Sequence, residues 1–139
     1  MTLALIIGGS GQDGPLLAQH LIAMGNVVHS TARCTSPDQK LNNFHDLDVR
    51  DQIGLEGLLD TLKPDLVFYL AAQSSVGQSF VHPIDTWDVS AFGFVRLMHC
   101  LQKSHPKTRL IYAASGDCFG PSTSRNPATE TSSFDPHSP

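Results

Sequence analysis

The stretch "LALIIGGSGQDGP", residues 3–15, decides the fold. "LALII" is a continuous apolar run, the pattern of a strand covered on both faces. Gly8, Gly11 and Gly14 follow at once in a G-x-x-G-x-x-G spacing. From Pro15 to Met24 the pattern turns helical, with Leu16, Leu17, Leu21 and Ile22 on one side. Pro15 suits an early helical position, where a missing N–H costs nothing, and Gly25 stops the helix. Strand, glycine turn and helix in direct succession make a phosphate-binding unit. Glycine lets the backbone turn tightly and lets a pyrophosphate approach without meeting a Cβ. The helix start offers free N–H groups and the positive end of its dipole. A glycine-rich turn with no ligand is the plainer alternative, and the strand–turn–helix context argues against it.

The same alternation continues. "VVHSTA" (27–32) reads as a second strand and "NNFHDLD" (42–48) holds a short third one. From Asp51 to Leu62, residues Ile53, Leu55, Leu58, Leu59 and Leu62 have helical spacing, with Asp51 as N-cap and Pro64 closing the segment. "LVFYLAA" (66–72) is a fourth strand, residues 84–104 form one long helical pattern, and "RLIYAAS" (109–115) is the fifth strand. Repeated strand–helix–strand order implies parallel pairing through right-handed crossovers. The expected fold class is α/β, an open doubly wound parallel sheet of the Rossmann type that binds NAD(P). Residues 1–120 form that domain, and 121–139, rich in Pro, Ser and Thr, read as a loop or tail.

Composition excludes several other classes. The 139 residues carry 40% hydrophobic and 16% charged side chains, enough for a core. The net charge of -4 and the lack of a basic patch argue against a nucleic-acid partner. The apolar run at the start is too short to span a membrane and has no basic leader. Cys34, Cys100 and Cys118 suggest neither a disulfide framework nor a zinc site, so a cytoplasmic location is expected and no metal. The histidines at 20, 29, 45, 82, 99, 105 and 137 lack ligand spacing and read as surface or packing residues.

Enzymes that use NAD place a carboxylate at the end of the second strand, for the ribose hydroxyls. Here that region reads "HSTARCTS", with no acid and one arginine. Arg33 can pair bidentately with a 2′-phosphate, which favours NADP. A solvated surface charge is the alternative for Arg33.

These residues carry a resemblance. The chain resembles the extended short-chain dehydrogenase/reductases, and within them the GDP-mannose 4,6-dehydratases. "GGSGQDG" looks like that family's glycine turn, including Gln12 and Asp13. "HSTAR" sits where the family carries its 2′-phosphate arginine, and "DVRD" (48–51) is similar to its adenine-side motif. "LAAQSSVGQSF" (70–80) is similar to its ribose-side loop, and "DVSAFGFVRLMHCL" (88–101) to its long helix. "FDPHSP" (134–139) resembles the segment just before the family's Tyr-x-x-x-Lys motif. The resemblance implies that Asp48 accepts from the adenine amino group with the backbone of Val49 beside it. It implies that Leu70, Ala71 and Ala72 leave room for a cofactor ribose, with Gln73 and Ser74 as polar contacts. For Asp48 a loop carboxylate, and for "AAQSS" a plain turn, are the alternatives.

The resemblance also implies chemistry. Ser115 takes the place of a catalytic Thr and Asp117 that of a catalytic Glu in "YAASGDCFG" (112–120). The implied reaction, a lyase reaction of nucleotide-sugar metabolism, oxidises the sugar at C4 with NADP, eliminates water across C5 and C6, and returns hydride to C6. Asp117 would be the C5 base and Ser115 would bond the C4 oxygen. A polar strand end with local turn bonding is the alternative for both. Two departures stand out: Asp is one methylene shorter than Glu, and Gly116 supplies no side chain. The family's Tyr and Lys would fall beyond Pro139, so the chain alone is expected to bind cofactor better than it turns over substrate. GDP-mannose is the suspected substrate, and a homo-oligomer fits the resemblance. A nucleotide-sugar reductase or epimerase, and a non-catalytic cofactor-binding module, are the alternatives.

Overall fold

The computed structural model describes residues 1–33, 43–121, 125 and 127–139. Five strands form one sheet: β1 (Leu3–Ile7), β2 (Val27–Ala32), β3 (Phe44–Asp46), β4 (Leu66–Tyr69) and β5 (Arg109–Tyr112). Their order is β3-β2-β1-β4-β5, and every neighbouring pair is parallel. The sheet reverses direction of growth at β1, so its ligand crevice belongs at the carboxyl ends of β1 and β4. The doubly wound expectation holds.

The two faces of β1 bury different halves of the chain. Ala4 and Ile6 pack with Ala18, Leu21 and Val28, under helix α1 (Asp13–Ala23). Leu5 and Ile7 pack with Leu55, Leu59, Val67, Tyr69, Leu97 and Leu101, under α2 (Gln52–Leu62) and α5 (Gly93–Ser104). All four of these β1 side chains are fully buried, which explains the unbroken apolar run. The α1 face differs from the expected one. Leu16 and Ile22 are exposed, and Gly14, Ala18 and Leu21 are the buried positions. Ile53 on α2 is likewise exposed.

Strands β3, β4 and β5 are shorter than the apolar runs that mark them. Residues 70–72 and 113–115 leave the sheet and form the crevice. Asp51 caps α2 as expected, its carboxylate accepting from Gly54 N at 3.0 Å. Two helical features were not expected. The segment 70–80 reads as a loop, yet Val76–Val81 form a short helix, α3, capped by Ser75. The Ser-x-x-Gln spacing of Ser75 and Gln78 is the sequence signal that marks such a start.

The single long helix expected over 84–104 is three pieces. α4 (Pro83–Trp87) runs into a π-helical turn, Asp88–Phe92, and then into α5. The turn is bolted to the sheet by Tyr69, whose hydroxyl donates to Val89 O at 2.7 Å in a buried site. Gly93 follows, and a Cβ there would collide with the Tyr69 hydroxyl and meet Val49 Cγ2 at 2.8 Å. After Gly116–Phe119, a short 3₁₀ turn, the described residues hold no further helix or strand. The tail still docks on that turn: Asp135 N donates to Cys118 O at 2.9 Å, and Phe134 packs on Phe119.

Candidate functional site

Every expected site residue lies at the carboxyl end of a strand or just beyond it. A cavity of ≈ 160 Å³ opens there, lined by Gly8, Gly11, Arg33, Val49, Leu70, Ala71 and Ala72 among others. It also takes in Ser10, Thr31, Ala32, Leu47 and Val89, which the sequence reading did not single out. Strand-end position was the signal that could have found Thr31 and Leu47.

The glycine turn is shaped for close approach. Gly8 has φ +83°, and a Cβ on it would lie 2.7 Å from Ala71 N. The turn is held by Gly9 N donating to Thr31 O at 2.7 Å and by Gly8 N to Thr31 Oγ1 at 3.4 Å. Gln12 sits at the N-cap of α1 with no side-chain cap bond, and Asp13 opens the first turn. The first N–H groups of α1 therefore face the turn without a side-chain acceptor. Gly14 is packed against the backbone of Gly9 and does not line the cavity; nor do Gln12 and Asp13. The open turn and the uncapped helix start fit a dinucleotide's pyrophosphate, and Gly8 lets that turn lie directly against the backbone of Ala71.

Asp48 lies between two lining residues, Leu47 and Val49, and does not itself line the cavity. Its two oxygens are already engaged by Arg50, with Nε at 3.0 and 3.1 Å and NH2 at 2.7 Å. The Arg50 side chain holds the Asp48 carboxyl below its usual range, against a smaller effect of burial. Arg50 also reaches Asp85 at 3.6 Å. Arg33, exposed, lines both this cavity and a neighbouring one of ≈ 290 Å³ with Arg50, Gln73, His82 and Asp85.

A third cavity, of ≈ 450 Å³, unites Gln73 and Ser74 with Ser115, Gly116 and Asp117. Tyr112, Ser90, Thr86, Ser79, Ser138 and Pro139 are also among its lining residues. The expected catalytic pair and the expected ribose-side contacts thus share one space. Ser115 also does local work: its Oγ accepts from Asp117 N at 3.2 Å and caps the 3₁₀ turn. Asp117 is exposed to the cavity. Ala72 lines all three cavities and Gln73 lines two, so the segment after β4 is their common lip.

Cys100 is buried and Cys118 half-buried, while Cys34 lies outside the described residues. Among the described residues no group of His, Cys, Asp or Glu could hold a metal, and no helix is long and apolar enough to cross a membrane.

A family profile described as "GDP-mannose 4,6 dehydratase" matches residues 5–139. The chain is 34% identical over 157 aligned positions to GDP-mannose 4,6 dehydratase 2 of Arabidopsis thaliana, covering 99% of this chain and 42% of that protein. It is 36% identical over 152 positions to a GDP-mannose 4,6-dehydratase of Vibrio cholerae, covering 98% of this chain and 41% of that protein. The chain therefore spans less than half the length of these curated relatives. Among solved structures, the UDP-glucose 4-epimerase of Thermus thermophilus in complex with NAD is similar with a TM-score of 0.89 at 26% identity, covering 98% of this chain and 45% of that one. The UDP-glucose 4-epimerase of Thermotoga maritima with UDP-glucose is similar with a TM-score of 0.87 at 26% identity, again covering 98% and 45%.

Proposed function

Because the chain belongs to the GDP-mannose 4,6-dehydratase family, we propose that it is the NADP-binding portion of a nucleotide-sugar 4,6-dehydratase acting on GDP-mannose. One observation carries the reading: the glycine-turn cavity and the Ser115–Asp117 cavity meet at Ala72. A cofactor in the first would bring its reactive end to a sugar in the second.

The residues divide the work. The turn from Gly8 to Gly11 and the start of α1 hold the pyrophosphate. Arg33 pairs with the 2′-phosphate, and Leu70, Ala71 and Ala72 leave space for a ribose. Arg50 satisfies Asp48, so an adenine amino group would share that carboxylate with a guanidinium already in place. Bound there, NADP supplies hydride exchange with the sugar. Ser115 keeps its hydroxyl proton after capping the 3₁₀ turn and can donate it to the C4 oxygen. Asp117 is the base for the C5 proton, which a C4 ketone acidifies. The pair that would exchange the C4 proton, Tyr and Lys, is expected beyond Pro139.

Calorimetric titration of the chain with NADPH and with NADH tests the cofactor. Tighter binding of NADPH is expected, and preference for NADH removes NADP from the proposal. The full-length protein incubated with GDP-mannose and NADP tests the reaction. Formation of the 4-keto-6-deoxy product is expected. Gly116, which offers no side chain to the leaving hydroxyl, favours a second reading as a reductase or epimerase. Product that retains its C6 hydroxyl would select that reading.

A further inference from the structure

The lip shared by the cavities is anchored at both ends. At its start, Leu70 N donates to Ile7 O at 2.8 Å and Ala71 is pressed against Gly8. At its end, Ser75 N donates to Gln73 Oε1 at 3.1 Å, and Ser75 Oγ caps α3. Between those anchors, the backbone N–H of Gln73 finds its acceptor in Ser90 Oγ, 3.1 Å away on the π turn.

That turn is held from three directions. Asp88 O accepts from Arg96 of α5 at 3.3 Å, while the same guanidinium meets Asp88 Oδ1 at 2.7 Å. Val89 O accepts from Tyr69 of β4 at 2.7 Å, and Ser90 O from Tyr112 of β5 at 3.4 Å. Successive carbonyls thus take donors from three different elements. The turn faces the cavities: Val89 lines the glycine-turn cavity, and Ser90 lines the Ser115–Asp117 cavity.

We propose that Ser90 is a positioning residue, whose hydroxyl fixes the Ala72–Gln73 lip and so couples the cofactor cavity to the catalytic one. The coupling to cofactor rests on the function proposed above; the fixing of Gln73 does not. Ser90 is half-buried and bonds at an exposed site, so losing its oxygen leaves no buried polar atom unpaired. Its effect is then on the lip rather than on folding.

The test uses Ser90→Ala and Ser90→Thr in the full chain, with thermal unfolding as a control for the fold. Amide hydrogen exchange at Gln73 reads the lip directly. Exchange about fivefold faster is expected in Ser90→Ala, the share of one neutral hydrogen bond, with Ser90→Thr close to the parent. NADPH titration followed by nucleotide fluorescence is expected to show about fivefold weaker binding for Ser90→Ala and rescue by Ser90→Thr. Unchanged Gln73 exchange in Ser90→Ala overturns the proposal, and so does a threonine variant as impaired as the alanine one. Faster exchange with unchanged NADPH affinity overturns the coupling. If the parent chain binds neither NADPH nor NADH, the cofactor reading fails, and Gln73 exchange alone decides the role of Ser90.

Discussion

The Tyr69 phenol reaches from the last residue of β4 to the carbonyl of Val89, 2.7 Å away, where the helix widens into a π turn. Burial pushes the Tyr69 hydroxyl well above its ordinary value, so it remains a donor at every working pH. This one bond ties the strand that ends at the glycine-turn cavity to the turn that walls it. Tyr69→Phe keeps the ring and leaves Val89 O as a buried acceptor without a partner. The expected loss is about 1–3 kcal/mol of unfolding free energy. A lower urea midpoint with an unchanged slope would record it. Gly93→Ala puts a Cβ against the same hydroxyl and Val49, and is expected to cost at least as much.

The glycine turn separates stability from binding. Gly8→Ala sets a side chain at φ +83° and 2.7 Å from the Ala71 backbone, so both folding and binding should suffer. At Gly11 a Cβ would meet only Gly8 O, at 3.5 Å, which is ordinary contact. Gly11→Ala should therefore unfold within about 0.5 kcal/mol of the parent. It nevertheless adds a methyl to the cavity wall where a pyrophosphate must approach. NADPH affinity at least about tenfold weaker, measured by calorimetry on a chain of parental stability, is the expected signature. Equal affinity would place the pyrophosphate elsewhere.

The contrast between these glycines shows what a sequence carries. The five strands and their parallel, doubly wound arrangement followed from apolar runs of strand length separated by helical spacing, because burial on both faces leaves no room for polar residues at Ala4 to Ile7. The glycine turn followed from its place between a strand and a helix, whereas Asp48, Gln73, Ser115 and Asp117 were singled out by the resemblance. The π turn followed from neither, because its cause lies far away in sequence: Tyr69, Arg96 and Tyr112 come together only in the fold. Arg50 was equally hidden. "DVRD" shows an arginine near an aspartate, but not that its guanidinium closes on both Asp48 oxygens and reaches Asp85. Exposed Leu16, Ile22 and Ile53 misled in the other direction, since helical spacing of apolar residues does not say how wide the buried face is.

Asp117 carries the proposed elimination. In the full-length protein, Asp117→Asn should lower the rate of 4-keto-6-deoxy product formation by about 10²–10⁴-fold, the share of a positioned general base. NADPH affinity should stay unchanged, because Asp117 lines the cavity beyond the lip. Asp117→Glu extends the carboxylate by one methylene toward the family's usual reach. A rate increase is expected, since about 1 Å of misplacement can cost on the order of a hundredfold. Product formation by Asp117→Asn at the parental rate would remove the residue from the chemistry.

His29 Nδ1 and His45 Nε2 lie 2.8 Å apart, on the paired strands β2 and β3. Such a contact needs one proton between the rings, and a proton on each facing nitrogen would break it. Burial, and then the charge of His45, lower the pKa of His29 from 6.5. The native state therefore binds fewer protons than the unfolded chain just below the ordinary histidine pKa. Stability must then rise with pH through that range. The contribution is complete above about pH 6.5 and is lost as pH falls below it. Replacing the partner, His45→Gln, removes the charge that disfavours protonated His29. The urea midpoint of the parent, followed from about pH 8 down to about pH 5, should fall more steeply than that of His45→Gln. Titrating groups other than His29 and His45 are common to both chains and cancel in the difference. Parallel curves would show that the two rings do not share a proton. Because β2 ends in Thr31 and Ala32, and β3 leads into Leu47 and Val49, this pair clasps the strands that carry one side of the glycine-turn cavity.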